Sequence, residues 1–256
     1  MKFISSLHTD VGIRKKTNQD SMLLQHAMTD YGEIVFAVVC DGMGGLQKGE
    51  VASASLIEAF SKWFKESLPG LIANGTVDTA KLRDQWDDIL DRLDSDITRY
   101  GNQNGIRLGT TMTCALIFGN TYYVANVGDS RVYLLSDNMY QITHDHTVVQ
   151  QKIDRGIITL EESFVDPERS ILLQCIGAGD ILEPDFFTGN IAPNNTVLLC
   201  CDGFRHKMQP AEFYQYLNAG NLPDEKSIEA VLTAITEALK SRGETDNISA
   251  ILIRTA

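Results

Sequence analysis

Two aspartates close apolar runs, each against a glycine. In the first copy, the seven residues Ile34 to Cys40 are all apolar, and they stop at Asp41, Gly42, Met43, Gly44 and Gly45. The second, Thr196 to Phe204, reads TVLLCCDGF and stops at Asp202 and Gly203, again with a cysteine just before the acid. An apolar run rich in β-branched types reads as a strand buried on both faces. Each carboxylate then falls where a sheet edge meets solvent. Gly42, Gly44 and Gly45 let the backbone come close to whatever Asp41 holds. An Asp-Gly pair also makes a tight turn, and either copy taken singly reads that way. Together they point to carboxylates converging on one site, the oxygen-only ligand set that hard divalent cations such as Mg²⁺ or Mn²⁺ favour.

Three further stretches place acids at strand ends. Asp20 precedes a short strand (Ser21 to His26) and follows Arg14, Lys15 and Lys16 within the segment Thr9 to Ser21. A cationic cluster beside a carboxylate suits an anionic substrate next to a metal; by itself it reads as a charged hairpin loop. Asp129 lies in the turn Val127 to Arg131, and Asp246 opens the last strand, Asn247 to Ile253.

The elements that must position these acids follow from periodicity. Lys2 to Leu7 reads as a strand ahead of the first acidic segment. Amphipathic helices are expected over Glu50 to Leu68 and Asp78 to Tyr100, where apolar residues recur at helical spacing. From Gly109 the period becomes that of strands: Thr110 to Phe118, Thr121 to Val127, Arg131 to Leu135 and Tyr140 to Ile142 form a meander. Asp145 to Arg155 reads as a helix, and Gly156 to Gly179, with no clean period, as an excursion from the core. Strands return at Glu183 to Ala192 and Thr196 to Cys201, then helices at Pro210 to Leu217 and Asp224 to Lys240. Grouped strands separated by helices favour an α+β fold of antiparallel sheets with helices outside, and not a doubly wound parallel sheet.

Composition limits the function classes. The chain has 256 residues, 43% of them hydrophobic and 22% charged, as in a globular protein with a substantial core. One domain over residues 1–256 is the economical reading. The formal net charge of −12 argues against a nucleic-acid partner, which needs a basic face. Cys40, Cys114, Cys175, Cys200 and Cys201 lie in apolar surroundings and read as buried thiols in a reducing compartment. The opening residues MKFISSLHTD hold too short an apolar region for a signal peptide, and no apolar run approaches membrane length. The expectation is a cytoplasmic protein with no membrane partner, and a monomer.

Seven short pieces add to this reading. They are TDVG with NQD (Thr9 to Asp20), CDGMGG (Cys40 to Gly45), GTT (Gly109 to Thr111), VGDSR (Val127 to Arg131), HDHT (His144 to Thr147), CDG (Cys201 to Gly203) and DN (Asp246, Asn247). Each is weak alone, but in this order and over nearly the whole chain they are specific. So arranged, the chain resembles the metal-dependent protein serine/threonine phosphatases (the type 2C family) in bacterial form. The resemblance implies a four-layer α-β-β-α sandwich, two mostly antiparallel sheets flanked by helix pairs, with a dinuclear Mn²⁺ or Mg²⁺ centre at one sheet edge. It implies hydrolysis of phosphoserine and phosphothreonine in phosphorylated proteins, opposing a serine/threonine kinase.

Carried over by position, Asp41 resembles the carboxylate bridging two metals, with the Gly42 carbonyl as a further ligand. Asp202 and Asp246 resemble ligands of one metal; these three aspartates would act in catalysis through metal-bound water. Asp20 stands where the family reaches the centre mostly through water, and Asp129 resembles the ligand of a third, looser ion. The stretch from about 145 to 180 resembles the family's flap. Several positions depart from the pattern. Lys15 replaces the usual phosphate-binding arginine, so the phosphate contact falls to Lys15 or to adjacent Arg14. Gln19 stands where the family often has Glu, Met43 replaces a histidine of eukaryotic members, and Asp166-Pro167 stands in place of His-Pro. The leaving-group acid is unassigned, and His206 reads as a surface residue. Cys201, where serine is common, reads as a small buried core residue. Two other readings compete with an active phosphatase: a catalytically silent phosphoprotein-binding member of the fold, and a hydrolase of a small phosphoester. The five aspartates at motif positions disfavour the silent member.

Overall fold

The computed structural model describes residues 1–43, 48–179 and 181–256. Gly44 and Gly45, to which the sequence assigns a close backbone approach, lie outside the described residues. The chain opens with β1 (Phe3–Asp10), β2 (Ser21–Thr29) and β3 (Gly32–Cys40), then α1 (Gly49–Glu66), the single turn α2 (Leu68–Leu71) and α3 (Thr79–Asn104). A meander follows, β4 (Met112–Phe118), β5 (Thr121–Val127), β6 (Arg131–Leu135) and β7 (Met139–Gln141). The short helices α4 (Val148–Asp154) and α5 (Leu160–Ser163) lead to β8 (Asp185–Asn190) and β9 (Thr196–Cys200). The chain ends with α6 (Asp202–Arg205), α7 (Pro210–Leu217), a 3₁₀ turn (Ala219–Asn221), α8 (Glu225–Ser241) and β10 (Ile248–Thr255).

All pairings within the two five-stranded sheets are antiparallel, in the orders β1-β10-β9-β6-β7 and β2-β3-β4-β5-β8. Side chains of a strand alternate between faces, and β3 uses both. Val35, Ala37 and Val39 enter a core shared with Val197, Leu199 and Ile251 of the other sheet. Ile34, Phe36, Val38 and Cys40 face the opposite way, into a core with Leu56 and Phe60 of α1 and Leu82 and Trp86 of α3. On the far side of the first sheet, Leu232 and Leu239 of α8 and Phe213 of α7 join the shared core, with Tyr133 of β6 against Phe213 at 5.3 Å between ring centroids. The result is the expected α+β sandwich, helices outside two antiparallel sheets.

Phe36 anchors the α1/α3 side. It is fully buried, and its ring lies 5.3 to 6.0 Å from those of Phe60, Trp63, Phe64 and Trp86. Boundaries differ from expectation where side chains are used elsewhere. The helix expected from Asp145 begins at Val148 because Thr147 caps it, its hydroxyl accepting from the Gln150 N–H at 3.2 Å, while Asp145 is buried in an ion pair. α3 runs past Tyr100 to Asn104, where Gly105 closes it at φ 64°.

Candidate metal centre

Strand register gathers the acids at one end of the sandwich. Ser21 pairs with Cys40, so Asp20 and Asp41, one residue beyond each, leave neighbouring strands side by side. On the other sheet the Cys201 N–H donates to the Ser249 carbonyl at 3.1 Å, which sets Asp202 beside the Asp246–Asn247 entry to β10. Across the two sheets, a carboxylate oxygen of Asp20, one of Asp41 and the Cys201 sulfur all lie within 4.8 Å of one another. The Lys15 ammonium closes the group, 2.7 Å from Asp246 Oδ1.

Backbone and side-chain bonds fix this arrangement. The Asp41 N–H donates to Thr111 Oγ1 at 3.0 Å, and the Asp41 carbonyl accepts from the Thr111 N–H and the Thr110 hydroxyl, each at 2.9 Å. Gly42 is required by close approach: a Cβ there would meet the Gln19 carbonyl oxygen at 2.4 Å and the Gly49 backbone at 2.6 Å. Its own carbonyl accepts no hydrogen bond among the described residues. Asn247 braces the loop carrying Lys15. Its amide donates to the Val11 and Thr17 carbonyls at 2.9 and 3.3 Å, and its Oδ1 accepts from the Gln19 N–H at 2.9 Å.

The electrostatics are those of carboxylates crowded without enough cations. Burial raises the Asp41 pKa well above the usual carboxylate value, and Asp20, Asp202, Asp129 and Asp246 add to it. Asp20 is pushed up to about 7, first by burial and then by Asp202 and Asp246. The Ser249 hydroxyl and Cys201 thiol ease that shift, but neither makes a hydrogen bond of good geometry to Asp20. Asp202 is raised by burial, opposed by Arg205 and reinforced by Asp246 and Glu244. For Lys15, burial works against the charge, yet the bond to Asp246 and the nearby Asp41 and Asp202 raise its pKa.

These residues fit a hard divalent cation. Both Asp20 oxygens and Asp202 Oδ1 are buried with no hydrogen-bond partner. Buried polar atoms are normally satisfied, and an unpaired buried carboxylate is costly. An oxygen-rich cluster of this kind is what Mg²⁺ or Mn²⁺ complements. The thiols nearby are structural: Cys40, Cys114, Cys200 and Cys201 are free and buried, and burial pushes the Cys201 thiol well above its usual pKa.

Not every expected residue joins the cluster in the same way. Asp20, Asp41, Asp202 and Asp246 share it, with Lys15 on Asp246. Arg14 is exposed and makes no hydrogen bond or ion pair among the described residues. His206 is exposed, its Nδ1 3.8 Å from Asp202 Oδ2. Asp129 lies at the margin, and its carboxylate is held by Arg205 at 3.2 Å. The segment from about 145 to 180 is tied to the site by an isolated bridge between Thr110 and Ile176, and another between Thr147 and Leu172 closes the segment on itself. Glu244 had no sequence signal beyond standing two residues before Asp246. It is 5% exposed; its Oε1 accepts from the Thr245 and Asp246 N–H groups at 2.7 and 3.0 Å, while Oε2 is buried without a partner.

The family model described as Protein phosphatase 2C matches residues 9–152, more than half of the chain. The chain belongs to the protein phosphatase 2C family. The matched stretch carries Arg14, Lys15, Asp20, Asp41, Gly42 and Asp129, and relatives extend the likeness beyond it. A serine/threonine phosphatase (stp) of Listeria innocua is 33% identical over 222 residues, covering 84% of this chain and 82% of that protein. Among solved structures, serine/threonine phosphatase Stp1 from Staphylococcus aureus superposes with a TM-score of 0.84 at 26% identity, over 100% of this chain and 96% of that one. The catalytic domain of the phosphatase PstP, in complex with two manganese ions, matches at a TM-score of 0.77 and 27% identity, over 99% and 98%. This is a bacterial-type family member, and protein phosphatase 2C enzymes are metal-dependent phosphoprotein hydrolases. No helix among the described residues is long and apolar enough to cross a membrane.

Proposed function

We propose that residues 1–256 form one catalytic domain that hydrolyses phosphoserine and phosphothreonine in proteins at a two-ion centre, opposing a serine/threonine kinase. The observation that carries this reading is the set of unsatisfied carboxylate oxygens on Asp20 and Asp202 beside Asp41. Asp41 stands between the two sheets and would be shared by both ions, with the Gly42 carbonyl beside it. Asp202 and Asp246, from the first sheet, would hold one ion, and Asp20 would supply charge from beside Asp41. When bound, Mn²⁺ or Mg²⁺ would supply Lewis acidity toward the phosphate and a water ionised near neutral pH.

The remaining work falls to the chain's own residues. Lys15 reaches the cluster from the loop braced by Asn247 and would share its ammonium between Asp246 and a phosphate oxygen. Positioning and charge account for most catalysis of phosphoryl transfer, so the aspartates need not attack phosphorus themselves. The segment from about 145 to 180, whose Ile176 bridges to Thr110 beside Asp41, would serve as a flap next to the site. A monomeric cytoplasmic enzyme is the simplest form consistent with this role.

Hydrolysis of para-nitrophenyl phosphate with Mn²⁺ tests the reading, with Asp41→Asn and Asp202→Asn expected to abolish it. No turnover with any divalent cation would favour a silent phosphoprotein binder. Faster turnover of small phosphorylated metabolites than of phosphothreonine peptides would move the substrate to another phosphoester.

A further inference from the structure

Asp129 is already paired with a cation from within the chain, although burial and Asp202 outweigh that cation and hold the carboxyl up at about 6. Arg205 Nη2 donates to its carbonyl oxygen at 3.1 Å and to its Oδ2 at 3.2 Å, and reaches Asp145 Oδ2 at 3.5 Å. Asp145 in turn receives two bonds from Arg131, at 2.8 and 2.7 Å. The Asp129 and Arg205 side chains are each 12% exposed and that of Asp145 is 5% exposed. Two guanidiniums and two carboxylates therefore alternate in one chain of contacts, with the Arg131 end 21% exposed, and their four formal charges cancel. Arg205 is placed by the same short helix that opens with Asp202, so one turn of backbone delivers both an acid of the centre and this cation.

A divalent ion needs oxygen ligands free to receive it. At Asp129 it would meet a buried guanidinium on the carboxylate it requires, and like charges repel strongly where water is excluded. Displacing Arg205 would also unbalance Asp145. By contrast, Asp20, Asp41, Asp202 and Asp246 crowd four carboxylates against one ammonium in contact with them, the partly exposed Lys15 on Asp246, which leaves an excess of negative charge for divalent ions to offset. The residues at Asp129 thus do not fit the third, looser ion that the family resemblance implies. We infer that Arg205 is a built-in cation standing in place of that ion, so that this centre fills with two divalent ions and no third. The inference rests on the two-ion reading proposed above.

Calorimetric titration of the chelator-stripped full chain with Mn²⁺ counts the ions directly, independent of turnover. The expected result is two ions on the wild type and the same two on Asp129→Asn. Arg205→Ala, checked by near-ultraviolet circular dichroism for native packing, should gain a third ion that the double variant with Asp129→Asn loses. A third ion on the wild type that disappears in Asp129→Asn overturns the inference while leaving the two-ion centre intact. A folded Arg205→Ala that still stops at two ions overturns the role given to the guanidinium. Should that variant not fold, the comparison of wild type with Asp129→Asn decides alone. Fewer than two ions on the wild type, unchanged in Asp41→Asn, would instead refute the two-ion reading and the inference with it.

Discussion

Removing the Lys15 ammonium tests how the site holds its substrate. In the structure this group lies 2.7 Å from Asp246 and is 31% exposed, close enough to the carboxylate cluster to touch a phosphate bound there. A hydrogen bond to a charged group contributes about 1.5–3 kcal/mol. Partial exposure screens the interaction and places Lys15 at the lower end, about 1.5–2 kcal/mol. On the proposed reading the ammonium contacts phosphate oxygens that are charged before as well as during reaction, so the loss is mainly in ground-state binding. Lys15→Ala should therefore raise KM about 10- to 30-fold, with a smaller fall in kcat. Initial rates on a phosphothreonine peptide measure this, taken at saturating Mn²⁺ so that the freed Asp246 does not change ion occupancy. An unchanged KM removes Lys15 from the phosphate, and a raised KM in Arg14→Ala would give that contact to Arg14. A fall confined to kcat would refute ground-state binding and place the ammonium on charge that develops only in the transition state.

Two further outcomes follow from the same crowding and from the core. Asp20 and Asp41 have raised pKa values in the folded chain, Asp20 reaching about 7 from 3.8, so the metal-free fold binds protons more tightly than the unfolded chain. Their contribution is present below the unfolded value and lost as pH rises through the folded one. Urea unfolding of the metal-free protein should show stability falling from about pH 4 to pH 7, and saturating Mn²⁺ should flatten that fall; a metal-free profile that rises through this window would contradict it. Phe36→Ala removes a fully buried ring packed against four aromatic neighbours and should cost about 3–5 kcal/mol, read from the urea midpoint by circular dichroism; a loss below about 1 kcal/mol would mean the cluster collapses to refill the space.

Much of the fold is legible because burial and period agree. The unbroken apolar run of β3 reads as a strand covered on both faces, and its alternate residues do enter two different cores. Local pattern fails where a side chain is claimed by a distant partner. Asp145 looks like the start of a helix, but Arg131 holds it in the core and the helix waits for Thr147. Likewise β1 continues past Leu7 to Asp10 because β10 pairs with it along its whole length, a long-range fact that no window of neighbouring residues contains.

The candidate site divides along the same line. Each acid at a strand end could be found from sequence, since the end of a buried strand is a local event and it fixes where the carboxylate emerges. What faces that carboxylate is not local. Arg205 and Asp129 are 76 residues apart, and Glu244 comes near enough to raise the Asp202 pKa only because β9 and β10 are neighbours. Position and chemical state are therefore separate properties of a motif aspartate. Asp41 and Asp129 match equally well as residues in a pattern, yet Asp41 faces other acids and Asp129 faces a guanidinium. A divalent ion responds to that difference, so on the proposed two-ion reading the ions would sit at Asp41 and away from Asp129.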